Sequence, residues 1–384
     1  MEETLISVNH RNNIENACLY LFFILTIVVV VFNDNRLLFY ARYAILGIGA
    51  FFGYLYCFEK KGSAYHPILF VLFIAVCWLL GYVFQDGYNN YPPADFFYTV
   101  FYIGLAVILL KNKYNHKITF ILYCFLLLSI LYKYIQVGDI NSLLNNYSRN
   151  YISVLMLFCL LFYYLSCHDK GKKFFVFPVI IAFFISVFFR GRGGIVTFGF
   201  LAAALIILRI RILENKSARK LYAILLVVIC VIAAFIIVNN SDALFEDPEA
   251  GLSLSRFQDK GMVDLERTKI WNGFLSNNTR SFDSFLLGSN TRLVRPEGNL
   301  HNSFLQSYAS FGLIGFAGLI ILIIRSFVIG IKRREVLWLI LYSALLIRAF
   351  TDLLMFQGFC ELFIYYFIFY WSINSLHKSN NQKD

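Results

Sequence analysis

Histidine is the side chain best suited to take up a proton near neutral pH. In this chain one histidine stands where a polar stretch turns apolar, in PEGNLHNSFLQSYASFGLIG, Pro296 to Gly315. His301 closes the polar part. Asn302 beside it has the side chain of a helix N-cap, whose oxygen accepts from backbone N–H groups that lack a partner in the first turn. Other charged groups interrupt apolar sequence at comparable joints. FFISVFFRGRGGIVTFGF carries Arg190 and Arg192 inside an otherwise apolar run. Charge near bilayer depth is costly, so it usually marks a function. Guanidinium is permanently charged and forks onto phosphate oxygens. These two arginines therefore fit a phosphate clamp, and the structural alternative is a helical hairpin whose arginines snorkel to the headgroups. LLIRAFTDLLMF carries Arg348 and Asp352 four residues apart. On a helix they share a face, where they can simply pair, or where Asp352 can orient Arg348 or His301 towards a substrate. Arg267 shares a helical stretch with Trp271, and Arg295 lies just before Pro296.

The elements that must position these groups are membrane helices. The chain has 384 residues, is 59% hydrophobic and only 15% charged, whereas a soluble domain is about half apolar and a quarter charged. Apolar runs approaching the ~20 residues that cross a bilayer recur along most of its length. The expected fold class is an all-α polytopic membrane protein of about 12 transmembrane helices, at 17–32, 37–58, 67–84, 96–110, 118–135, 151–167, 174–189, 194–213, 221–238, 303–324, 336–347 and 353–375. Residues 1–238 hold helices 1–9. Residues 239–302 form a large external loop with an amphipathic helix, and 303–384 hold helices 10–12 and a tail. The eight cysteines have no metal or redox spacing and read as small buried hydrophobes. The net charge of +11 does not imply nucleic acid, because most of it sits in short loops, as orientation signals do.

Those loops orient the chain. EKKGSAYH, KNKYNHK, HDKGKK, RIRILENKSARK, RSFVIGIKRRE (325–335) and the tail HKSNNQKD, with Arg11, collect most of the Lys and Arg. Both termini are thus expected in the cytoplasm, with the joints of His301, Arg192 and Arg348 on the far face. Within the long loop, VDLERTKIWNGFL (263–275) has its apolar residues mostly on one helical stripe. It reads as an amphipathic helix resting on the bundle or the interface, with Trp271 as anchor. A short FDSFLLGSN element comes next. No P-loop, GxSxG elbow, HExxH or DxD-like motif occurs in the sequence, which disfavours ATP-driven transport and metal-dependent nucleotide-sugar transfer.

Taken as a set, FFRGRGGIV, LERTKIWNGFL, the HNSFLQSYASFGLIG stretch and RAFTDLLMF resemble the O-antigen ligase and polymerase superfamily (WaaL-like and Wzy-like proteins) of the bacterial inner membrane. The resemblance covers roughly residues 180 to 360. It implies a GT-C-like, metal-independent glycosyltransferase without a cofactor, working at the periplasmic face on a glycan carried by undecaprenyl diphosphate. It also implies essential roles for a mid-chain arginine, a loop arginine and the histidine, which fall here on Arg190 or Arg192, Arg267 and His301. Asp352 matches an acidic position of the family. The sequence departs from the family in having two arginines in RGRG where one is typical.

The leading expectation is an O-antigen or capsule repeat-unit polymerase, with His301 as general base and with Arg190, Arg192, Arg267, Arg348 and Arg295 around the diphosphate. Asn302 and Asp352 support them. A polysaccharide chain-length regulator is a possible partner besides the lipid-linked oligosaccharide and membrane lipid. The alternatives are a ligase that moves the glycan onto lipid A-core, and a transporter or flippase of lipid-linked oligosaccharide. A transporter should show paired repeats or broken helices in both halves, and the sequence has neither.

Overall fold

The computed structural model describes residues 2–32, 36–60, 62–84, 93–139, 143–144, 148, 150–189, 191–212, 217, 265–288, 300–354 and 358–380. The expected span at 221–238, and Arg190 and Arg295, lie outside them. The described elements are all helical, as a chain must be when lipid offers its backbone no hydrogen-bond partner. They are α1 (Glu2–Phe32), α2 (Arg36–Lys60), a 3-10 turn (Gly62–Tyr65), α3 (His66–Phe84), α4 (Pro93–Lys111), α5 (His116–Val137), α6 (Asn150–Asp169), α7 (Phe177–Phe188) and α8 (Arg192–Ile212). They continue as α9 (Leu265–Asn278), α10 (Phe282–Leu287), α11 (Ser303–Arg333), α12 (Val336–Thr351) and α13 (Glu361–Asn380). Among the described residues, eight helices are long and apolar enough to cross a membrane, while α7 and α12 are shorter apolar helices. The chain is an all-α membrane protein.

Helix α6 runs through the middle, with every residue from Ile152 to Cys167 buried. It packs between α5 and α7, and α13 lies against α4 and α11. The centre is aromatic: Phe23 of α1 stacks on Phe158 and Phe162 of α6 at 4.1 and 4.2 Å, and Phe158 meets Phe359 and Phe363 edge-on. Without a hydrophobic drive between helices in lipid, close packing carries more of the association. Gly53 of α2 and Gly104 of α4 accordingly meet so closely that a Cβ on Gly53 would sit 1.9 Å from the Gly104 carbonyl oxygen.

Three expectations change. The run after His301 is two legs and not one span. At Gly312 the backbone takes φ 67°, ψ −175° inside α11, a conformation that glycine adopts freely and other residues do not. Ser303–Phe311 is therefore a short buried leg, and the spanning leg continues to Arg333. Residues 325–335, read as a loop, are mostly helix: arginine and lysine are good helix formers whose heads can reach out along long stems. Finally, Leu353 and Leu354 lie outside helix, and α13 starts only at Glu361.

The bundle has two polar ends. At one, Arg11 and Lys111 hold the buried Glu15 and His168 reaches Glu335. At the other lie the first turns of α6, α8 and α11 and the last turn of α12.

Candidate functional site

The site is built on the segment Leu300–Ser303, in which Leu300, Asn302 and Ser303 are each held by their own hydrogen bonds. The Leu300 side chain is fully buried beside Phe274 of α9. Its N–H donates to the Gln306 side-chain oxygen at 3.3 Å, and its carbonyl accepts from the Trp271 indole at 2.8 Å. Trp271 also packs edge-on against Phe350. It is a bolt between α9 and the bundle, where sequence suggested an anchor. Asn302 caps α11, its side-chain oxygen accepting from the N–H groups of Phe304 and Leu305 at 2.9 and 3.1 Å. Ser303 Oγ donates to the Asp352 carbonyl and accepts from the Leu354 N–H, both at 2.7 Å. Between these fixed neighbours His301 takes φ 50°. Left-handed backbone at a residue with a Cβ costs roughly 1 kcal/mol and persists only when the surroundings enforce it.

Asp352 stands behind the imidazole, one residue beyond the end of α12. His301 Nδ1 lies 4.0 Å from Asp352 Oδ1, and the side chain of His301 is 29% exposed against 8% for the aspartate. That separation is an ion-pair distance and too long for a direct hydrogen bond. The other carboxylate oxygen is 3.1 Å from Arg348 Nη2. Burial alone would raise the Asp352 carboxyl. His301, the charge of Arg348, the Leu353 N–H and the charge of Arg267 outweigh it and hold the group down to about 2. The carboxylate therefore stays ionised at neutral pH. A fixed negative charge on the Nδ1 side favours the tautomer that carries its proton there, which leaves Nε2 as the acceptor.

Arg348 is almost fully buried. Besides Asp352 it donates to Ser153 Oγ at 3.1 Å, to the Asn150 carbonyl at 3.2 Å and to Thr351 Oγ1 at 3.2 Å. Gly193 of α8 leaves it room: a Cβ there would stand 2.1 Å from Arg348 Nη1. Expected at the diphosphate, Arg348 instead joins α6, α8 and α12 behind the aspartate. Its burial and its protein acceptors fit a positioning group. The pairing with Asp352, open on sequence grounds, is present, with the aspartate in extended backbone just past the helix end.

Arg267 of α9 is half-buried and donates from Nη1 to the Thr351 carbonyl at 2.6 Å. It thus caps the negative end of α12 one residue from Asp352. Arg192 opens α8, half-exposed and next to the glycine that Arg348 packs on. The structure thus brings His301, Asp352, Arg348 and Arg267 to one end of the bundle, with Arg192 one residue from the Gly193 contact. Sequence reasoning missed Asn150, Ser153, Ser303 and Gln306. Only Ser303, beside the cap, carried a local signal. A cavity of about 560 Å³ lies at the opposite end, and the site around His301 is described by its bonded groups.

Its arrangement can accept a proton at His301, hold a compensating negative charge at Asp352 and offer cations at Arg192 and Arg267. A comparison with protein-family models finds no match to this chain, and a comparison with curated proteins finds no significant similarity.

Proposed function

We propose that the chain is a membrane-embedded glycosyltransferase, a repeat-unit polymerase that takes its glycan from an undecaprenyl diphosphate at the periplasmic face of the bacterial inner membrane. The observation that carries this reading is the placing of His301: strained, partly exposed, and backed by an ionised, buried Asp352. The hydroxyl of the acceptor, the non-reducing end of a lipid-linked repeat, attacks the anomeric carbon of the donor sugar. The new carbon–oxygen bond forms as the bond to the diphosphate oxygen breaks, and the electron pair leaves with the diphosphate. The hydroxyl proton passes to His301 Nε2, and Asp352 stabilises the resulting imidazolium. Direct displacement inverts the anomeric centre. Arg192 and Arg267 meet the charge that grows on the leaving group, work permanent cations can perform without a metal. Arg190 and Arg295 remain candidates for the same task.

The test is transfer in reconstituted membranes with purified lipid-linked repeat units. His301→Ala is expected to lower polymer formation by roughly 10²-fold or more, with the protein present at normal level. Polymerisation at the normal rate would remove the base from the scheme. Arg267→Ala and Arg192→Ala should each lower the rate, and Lys at either place should restore it only in part.

A further inference from the structure

Helices α3 and α11 touch closely where a Cβ on Gly315 would meet Cys77 at 3.3 Å and one on Gly318 would meet the Phe73 ring at 2.6 Å. Beyond that crossing, towards Arg333, a cavity of about 560 Å³ lies between α3, α11 and α13. Phe70, Phe73, Ile321 and Ile329 give it apolar walls, and Arg325 and Arg333 give it two cations. Ile321 is 64% exposed, so one wall continues onto the lipid-facing surface. Arg333 is held over the Trp371 ring at 4.8 Å. Arg325 is exposed and makes no hydrogen bond or ion pair among the described residues. It lies eight residues before Arg333, which on a helix is ~12 Å back from the end. Whether its head stays among the apolar walls or reaches out along its stem, the guanidinium favours water or an anion beside it. Apolar walls open to lipid and two cations at the rim fit an amphiphile with a negative head, although Arg333 also faces Asp169 and Glu335 across the neighbouring cavity. Basic pockets between membrane helices suit anionic phospholipid headgroups.

We propose that this cavity binds an anionic membrane phospholipid, its phosphate at Arg325 and Arg333 and its acyl chains along Phe70, Phe73 and Ile321. The site stands apart from His301, and its test is independent of the catalytic reading.

The full-length chain, purified in detergent and stripped of lipid, is titrated with phosphatidylglycerol or phosphatidylcholine and followed by native mass spectrometry. The wild type should retain phosphatidylglycerol at least tenfold more tightly than phosphatidylcholine. Arg325→Gln combined with Arg333→Gln should remove that preference. Ile321→Trp, which fills the cavity from an exposed position and keeps both arginines, should weaken phosphatidylglycerol about tenfold. Equal retention by the wild type and the double variant would overturn the proposal, as would an Ile321→Trp chain that binds normally. Displacement of phosphatidylglycerol by millimolar inorganic phosphate would overturn the lipid assignment in favour of a free-anion site. Unfolding temperatures in lipid-free detergent check the fold of each variant. If the double variant unfolds early, Arg325→Lys must retain phosphatidylglycerol, and its failure to do so overturns the proposal.

Discussion

The pair Arg348–Asp352 allows the reasoning about the site to be tested without any substrate. Asp352→Asn keeps the shape and removes the charge. The carboxyl is held down from 3.8 to about 2, which corresponds to roughly 2 kcal/mol of favourable surroundings for its ionised form. That is the expected loss at neutral pH. Arg348→Met removes a cation that is 2% exposed and leaves the carboxylate buried with the Leu353 N–H, His301 and Arg267. Breaking a buried pair from one side costs about 3–5 kcal/mol. The double variant removes both charges together, so its loss should fall short of the sum of the two single losses by about 1–3 kcal/mol. The assay is reversible unfolding in mixed micelles, or unfolding temperatures in lipid nanodiscs where refolding fails. Single-variant losses that add to within about 0.5 kcal/mol would refute the reasoning, because Arg348 and Asp352 would then be stabilised by separate surroundings.

The same carboxyl fixes a pH dependence. Its folded value lies below the unfolded one, so its contribution is fully present above the unfolded value of 3.8 and is lost as pH falls towards about 2. The carboxyl's part of the stability gap between wild type and Asp352→Asn should therefore close below about pH 4, as titrated unfolding would show. His301→Gly removes the base and relieves the left-handed backbone at φ 50°. It should abolish transfer while leaving unfolding free energy unchanged or higher by up to about 1 kcal/mol, and a large loss of stability would contradict a strained, functional histidine. Asn302→Ala removes the cap of α11 and should cost about 1 kcal/mol in unfolding. Gly312→Ala would force φ 67° on a residue with a Cβ and drive that atom to 2.4 Å from the Leu286 carbonyl oxygen. It should lower the unfolding temperature clearly more than Asn302→Ala does.

Features that depend on near neighbours could be read from sequence. Asn302 is a cap because a helical run begins at the very next residue, and the four-residue spacing of Arg348 and Asp352 suggested their pair, although the aspartate stands just past the helix end. The polar joints were visible because charge is rare in apolar sequence. The groups that hold Arg348 were hidden for the opposite reason. A serine at 153 or a backbone carbonyl at 150 looks like any helix start, and only the folded bundle brings them to α12. Gly312 was read through because glycine is tolerated within membrane helices, and nothing local tells a tolerated glycine from a break. The helix through Arg325 was missed because a basic residue near an apolar run reads equally as a loop signal. The sequence put Trp271 on a helix resting on the bundle or the interface, and its bond to Leu300 depends on a segment 29 residues further along the chain.

Arg348 also imposes an order in time. Its acceptors at Ser153 and Asn150 precede it by 195 and 198 residues. At the ~5–20 residues per second of synthesis, α6 is in place for roughly ten to forty seconds before the guanidinium that joins it exists. The frame behind His301 therefore closes only near the end of synthesis, when Asp352, from the same helix end, arrives with Arg348. A chain stopped at residue 347 should leave a cysteine substituted at Ser153 open to a membrane-impermeant thiol reagent, and the full chain should protect it. Protection in both would mean that the pocket at α6 is already closed before Arg348 is made.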